Sequence, residues 1–330
     1  WFLLILAALL RWMMQVEAPH GRLLFPAIGA VSILLIAGWA GWRGLGRVLT
    51  IGSIGFLGVL TLCSPFTVIR PALLPPPLLT EEQVYARADR IQMVYGNQIE
   101  LIAWRSGRLV AQPGQVVPIT LCWQARQPVT ADYSLFVHVL GQDNLVVGAR
   151  DTWPGLGRYP TSLWIPGRPF CDEVRVRLET WTPTPAVYAI ETGFYDAGRN
   201  VRLELPDSSL PIIGQLIMRG ALPPPPQYST WYDLDGKILL IGYSAPTRVQ
   251  AGQTFSITLH WQARVGNLED YTVFVHALDE QQQLVAQRDA PPREGTFPTS
   301  VWMKDETIAD TYIFTLPPGL YTFKAGMYRQ

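Results

Sequence analysis

One stretch of this sequence occurs twice. From Gly114 it reads GQVVPITLCWQAR, and from Gly252 it reads GQTFSITLHWQAR. YSLFVHVL from Tyr133 returns as YTVFVHAL from Tyr271, Arg150-Asp151 as Arg288-Asp289, and YPTSLW from Tyr159 as FPTSVW from Phe297. Residues 114–164 map onto 252–302 without a gap, so Trp123 answers to Trp261, His138 to His276 and Trp164 to Trp302. A match that long in constant register is the mark of a tandem duplication, and it constrains the fold more than any single motif. Whatever one copy folds into, the other must too. A role given to a residue in one copy has to be weighed against its counterpart.

Within the copies the hydrophobic pattern has period two, the strand signal. Ile119, Leu121 and Trp123 alternate with Thr120 and Cys122. Around His138 both faces of the run are largely apolar, as in the middle strand of a packed sheet. Further strands are predicted at 145–150, 172–179, 186–195, 201–205 and 212–218, separated by PG, GQD, DAG and PDSS turn signals at the spacing of a β-sandwich. YAIETGFY from Tyr188 returns as YTFKAGMY from Tyr321, but the two strands predicted after it in the first copy have no counterpart before Gln330. The expected soluble architecture is therefore two tandem immunoglobulin-like β-sandwich domains, over 95–220 and 221–330; either the chain is cut at both ends, or the second sandwich is incomplete and exposes an unpaired strand edge. Twelve Trp and 28 Pro suit such an all-β region.

The first 70 residues read differently. Residues 23–42 (LLFPAIGAVSILLIAGWAGW) carry no charge and match the ~20 residues a helix needs to span a bilayer. Residues 48–69 form a second such run, and 1–10 read as the tail of a third span. Neither long run has a polar face, which argues against a buried helical hairpin. The chain thus reads as the C-terminal end of a larger, multi-pass membrane domain in the cell membrane. Arg43 and Arg47 in the short loop between the spans mark the cytoplasmic side, so everything after Arg70 is expected to be extracytoplasmic. Residues 71–94 are then a linker: the proline-rich PALLPPPLL, a capping box at Thr80-Glu81-Glu82-Gln83, and a short helix to about Arg90 near the membrane surface.

Composition excludes some partners. The 26 Lys+Arg and 26 Asp+Glu cancel, so no basic excess points to nucleic acid. Three Cys without CxxC spacing form no zinc or thioredoxin-like motif. Cys122 and Cys171 could pair outside the cytoplasm, but Cys122 lies on the strand face opposite Trp123, and unpaired thiols are the expectation.

Candidate chemistry is sparse. His138 and His276 sit mid-strand with no neighbouring Cys, which fits a hydrogen-bonded strand histidine better than a metal ligand. Asp151 and Asp289 are expected to cap the turn into the PTSxW loop, with Arg150 and Arg288 covering the sandwich edge. Trp164 and Trp302 are candidates for stacking on a sugar ring, against the simpler role of plugging the end of the core. Asp233-Leu-Asp235 has a DxD form, yet Asp235-Gly236 reads as a turn. No cofactor, no metal site and no catalytic residue is expected. The one membrane-side candidate is Arg22, beside His20 at the mouth of the 23–42 run. Its guanidinium could hold a lipid phosphate bidentately or serve as an interfacial anchor.

A GRLLFPA stretch opening a late transmembrane helix resembles the C-terminal membrane region of polytopic C-type glycosyltransferases of the protein-mannosyltransferase kind and related bacterial membrane proteins. Trp261-Gln262-Ala263, Phe274-Val275-His276, Gln287-Arg288-Asp289 and the stretch from Pro298 to Trp302 resemble the extracytoplasmic β-sandwich modules that follow the last span in some bacterial members. The resemblance implies sugar transfer from a polyprenyl-phosphate donor to a cell-envelope glycan or protein acceptor, with Arg22 and His20 near the donor phosphate. It puts the catalytic acid in a region this sequence does not contain, so the chain alone is expected to be inactive. The competing expectation is a non-enzymatic, membrane-anchored cell-surface binding or adhesion protein.

Overall fold

The computed structural model describes residues 44–105, 107 and 109–329, together with residues 7, 11, 37 and 38. The chain divides into two compact units, Trp1–Leu74 and Pro75–Gln330.

In the first unit, helix α1 spans Leu45–Ser64 and continues through a π-helical turn, Pro65–Ile69, into a last turn at Arg70–Leu73. Pro65 has no N–H to give the preceding turn and its ring crowds the carbonyl behind it, which accounts for the wider turn there. Leu45–Thr67 has a mean hydropathy of 1.8 and, among the described residues, is the one helix long and apolar enough to cross a membrane. Its hydroxyls are satisfied within the helix: Thr50, Ser53, Thr61 and Thr67 each donate to the carbonyl four residues back. The run expected at 48–69 overlaps this segment from Val48 to Thr67. Apart from residues 7, 37 and 38, the other two expected spans, at 1–10 and 23–42, lie outside the described residues, as do His20, Arg22 and Arg43.

The second unit is built of β-sheets. Strands β1 (Asp89–Tyr95), β2 (Ile99–Trp104), β4 (Val116–Ala125) and β7 (Phe170–Arg177) form one sheet, in the order β1-β2-β4-β7. Facing it are β3 (Leu109–Ala111), β10 (Ile212–Met218), β8 (Ala186–Asp196), β5 (Ser134–Leu140) and β6 (Val146–Thr152), in the order β3-β10-β8-β5-β6, with β9 (Val201–Arg202) paired to β8. Their inner faces meet in a core around Trp123, Trp164, Phe170 and Phe194, all buried. The arrangement then recurs. Strands β11 (Tyr228–Leu234), β12 (Ile238–Ser244), β13 (Thr254–Ala263) and β16 (Thr307–Thr315) stand in the order β11-β12-β13-β16. Opposite them β15 (Leu284–Ala290), β14 (Thr272–Leu278) and β17 (Thr322–Tyr328) form a sheet of three strands, in the order β15-β14-β17. Here the core surrounds Trp261, Phe297, Trp302 and Phe314.

The registers recur with the strands. Cys122 lies opposite Cys171 in the β4–β7 pair, and His260 opposite Ala309 in the β13–β16 pair. Phe136 lies opposite Gly193, and Phe274 opposite Gly326. Each of these phenyl rings lies over its cross-strand glycine: a Cβ on Gly193 would come within 2.9 Å of Phe136, and one on Gly326 within 2.7 Å of Phe274. These glycines are needed for the closeness of the ring, not for an unusual backbone.

Three expectations need correction. The first sandwich begins at β1, before residue 95. The bulge between Arg90 and Met93 breaks strict alternation in β1 and hides it from a period-two reading. The linker helix α2 (Glu81–Tyr85) stops short of Arg90 and does not stand free. Its Thr80 capping box forms as expected, with the Gln83 amide donating to the Thr80 hydroxyl and the Thr80 amide to the Gln83 side chain. But Val84 is buried against Ala88, Ile102, Ala103 and Cys122 on the outer face of the first sheet. The proline-rich segment also docks: Pro76 is buried, and the Leu79 amide donates to Pro169 O at 2.7 Å.

The third correction is the disulfide. Cys122 and Cys171 are bonded, 2.05 Å between sulfurs. Cys122 does face away from Trp123, as its strand position requires. Cys171 faces the same way on the neighbouring strand, and α2 covers the pair. Facing away from the core thus brings the two thiols together.

Candidate functional site

The duplicated PTSxW stretch is the loop that closes each sandwich. The Thr161 hydroxyl donates to Ala131 O at 2.7 Å and accepts from the Tyr133 amide at 2.9 Å. Thr299 does the same with Glu269 O at 2.6 Å and the Tyr271 amide at 2.9 Å. The Ser162 and Ser300 amides donate to the Asp132 and Asp270 side chains. So fixed, the loop drives its tryptophan inward. Trp164 is 4% exposed and donates its indole N–H to Tyr159 O; Trp302 is 0% exposed and donates to Phe297 O. Neither indole has a face free to stack on a sugar. The glycan-contact reading of Trp164 and Trp302 gives way to that of core plugs, because burying a large apolar ring and satisfying its single N–H is the stronger demand.

A second duplicated feature lies on the outer face of the β6-β5-β8 sheet. His138 Nε2 meets Asp151 Oδ1 at 2.9 Å, and its Nδ1 faces Glu191 Oε2 at 3.6 Å. Tyr195 donates to Asp151 Oδ2 at 3.2 Å, and Arg202 to Glu191 Oε1 at 2.9 Å. Asp151 therefore orients a histidine and a tyrosine; it does not cap the following turn, as its position before the PTSxW loop suggests. Glu191, and after it Asp151, hold the His138 imidazole above its ordinary pKa, against the opposing effect of partial burial. His138, and after it Arg202, hold the Glu191 carboxyl below its ordinary value, again against burial. The other copy keeps half of this set. His276 meets Asp289 at 3.2 Å and Tyr328 donates to the same carboxylate at 3.4 Å, but Lys324 stands where Glu191 does. A His-Asp pair can move a proton only if a nucleophile or substrate atom is in reach. Here the further polar partners are the phenol, the second carboxylate and Arg202, an arrangement that ties neighbouring strands together. Arg288 lies along the sandwich as expected, donating to Ile313 O at 3.2 Å over the Phe314 ring. Asp233-Leu-Asp235 forms the β11–β12 turn, with the Gly236 amide donating to Asp233 Oδ1 at 2.7 Å.

The two sandwiches meet partly through a loop position that period and pattern did not single out. In each copy a buried aspartate accepts the amide of a residue with left-handed backbone: Asp172 from Gly155, and Asp310 from Arg293. Burial raises the pKa of both carboxyls. Gly155 lies against Pro76, the segment that precedes the first sandwich. Arg293 reaches back to what precedes the second, donating to Pro185 O at 3.1 Å and Thr184 O at 3.4 Å, and also to Ala309 O at 3.1 Å. Arg219 pairs with Glu306 and donates to Val301 O at 2.9 Å, while Ile217 of β10 is buried in the second core. A cleft of about 290 Å³ remains beside this junction, lined by Arg293, Glu306, Gly220 and Pro223 among others.

A wider concave feature is on the second sandwich. A groove of about 640 Å³ opens between its sheets, lined by Tyr232, Leu240, Tyr243, Leu259, Trp261 and Phe323 among others. Its walls are mainly apolar, and the row of core positions on β17 forms one side. Comparison with family models and with curated proteins gives no match to this chain.

Proposed function

We propose that this chain is the C-terminal part of a glycosyltransferase-like integral membrane protein. Its paired immunoglobulin-like sandwiches would stand on the extracytoplasmic side and hold a cell-envelope glycan or protein acceptor near a polyprenyl-phosphate sugar donor. The observation that carries the extracytoplasmic side is the Cys122–Cys171 disulfide, a bond that persists in oxidising compartments and is rare in the cytosol. The apolar helix at Leu45–Thr67 supports attachment to a membrane, and Arg43 and Arg47 at its start support the orientation. The strand orders, with β10 as the last strand beside β8, favour the immunoglobulin-like type of sandwich.

The sandwiches contribute binding and placement in this reading, since their polar clusters bridge strands and carry no nucleophile. Transferase chemistry rests on the GRLLFPA resemblance, with Arg22 and His20 holding the donor phosphate. In the protein in its native membrane, Arg22→Ala is expected to reduce turnover of a polyprenyl-phosphate sugar at least tenfold. Unchanged turnover would remove the phosphate-binding role. The second reading, a non-enzymatic membrane-anchored adhesion protein, is favoured by the mainly apolar walls of the groove on the second sandwich. Absence of sugar transfer by the whole protein, with surface binding lost on deletion of both sandwiches, would favour that reading.

A further inference from the structure

Each sandwich turns the same loop toward what precedes it in the chain. In the second copy that is the first sandwich. Arg293 donates to Pro185 O and Thr184 O, and the Val187 amide donates to Thr296 O at 2.8 Å. Gln142 donates to Glu294 O at 3.2 Å, and Arg219 donates to Val301 O while pairing with Glu306. In the first copy Gly155 takes the place of Arg293 and lies against Pro76. Further along the same face the side chains are open to solvent. Leu163 takes the place of Val301 and is 62% exposed, where Val301 is 9%. Leu156 takes the place of Glu294 and is 54% exposed, and Trp153 and Ile165 near them in sequence are exposed too. Arg168 takes the place of Glu306. The acidic group that meets Arg219 in one copy is thus an exposed cation in the other.

We propose that this end of the first sandwich rests on the surface of a phospholipid bilayer. Leu156, Leu163 and Ile165 enter the acyl boundary, Trp153 lies at the headgroup level and Arg168 meets a lipid phosphate. The inference rests on the reading of Leu45–Thr67 as a membrane span. What precedes the second sandwich is a protein domain, and the matching face there carries Glu306 for an arginine of that domain. What precedes the first is an apolar helix, and Pro76, which follows Thr67 by only nine residues, is docked beside the open face. The side chains suit such a neighbour: aliphatic groups to bury, an indole for the interface, and a cation whose long stem reaches the headgroups. Three aliphatic side chains would hold a free domain only weakly. The covalent tether to the span raises the effective concentration of lipid at the face, so a weak contact persists.

The full chain is reconstituted in vesicles of phosphatidylcholine and phosphatidylglycerol, with a nitroxide attached at one cysteine at a time. Native Cys63, in the apolar helix, reports the span. Leu156→Cys and Leu163→Cys, each in a Cys63→Ser chain, report the proposed contact, and Glu294→Cys in the same background reports the matching loop of the second sandwich. Electron paramagnetic resonance compares relaxation by oxygen, which partitions into lipid, with relaxation by a water-soluble nickel chelate. The oxygen-to-nickel ratio at Leu156→Cys and Leu163→Cys is expected to exceed that at Glu294→Cys by about threefold or more. Arg168→Glu is expected to lower it in these vesicles and to leave it unchanged in phosphatidylcholine alone. A water-like ratio at both leucine positions, with Cys63 in lipid, would overturn the proposal and leave the span standing. Cys63 itself in water would overturn the span and the proposal with it. Leucine positions shielded from oxygen and nickel alike would overturn it in favour of a protein cover, whether a second copy or another domain. Arg168→Glu without effect would remove the phosphate contact.

Discussion

His138 and His276 occupy the same place in their sheets and differ in company. His138 lies between two carboxylates, whereas His276 has one and a lysine nearby. Because Glu191 and Asp151 hold the folded-state pKa of His138 above its ordinary 6.5, the imidazolium contributes stability. That contribution is fully present below the ordinary value and is lost as pH rises through the raised one. The thermal midpoint is therefore expected to fall as pH rises from about 6 across the raised His138 value, and His138→Gln should flatten that part of the profile. Glu191, with its depressed value, stays ionised throughout this window. A strand histidine with a satisfied ring was legible in the sequence. Its partners were not, because Glu191 reaches it only through the β5–β8 register. The cysteines show the same limit more sharply. The alternation correctly turned Cys122 outward, but whether another thiol waited there depended on which strand came next.

The PTSxW loop is the element that makes one sandwich fold twice. In each copy a single hydroxyl ties the loop to the segment that enters one strand, β5 or β14, donating to one carbonyl and accepting one amide. Thr299→Val keeps the shape and leaves both backbone groups without that partner, so it is expected to cost about 1–3 kcal/mol. Urea unfolding of the variant against the parent chain measures this directly, and a change below about 0.5 kcal/mol would show that the bridge contributes little. The strand content of both copies was readable from period two and turn residues. β1 and β11 were missed because each carries a bulge against its neighbour, between Arg90 and Met93 and between Ser229 and Tyr232. Two bulged edge strands in equivalent places show that the repeat reaches further upstream than the identical residues do.

At the scale of the whole molecule, the sequence divided correctly into an apolar N-terminal part and an all-β remainder. The dock between sandwiches was not legible, since Arg293 replaces Gly155 at an otherwise matching position and acts through backbone carbonyls far away in sequence. We propose that this remainder folds outside the cytoplasm, with its first sandwich closed by a disulfide. The most direct measurement counts reactive thiols. The full chain is prepared from membranes under denaturing conditions, quenched against exchange, and labelled with a thiol-reactive mass tag before and after reduction. Of the three cysteines only Cys63 is free, so the account predicts one tag before reduction and three after. Three tags without reduction would contradict it.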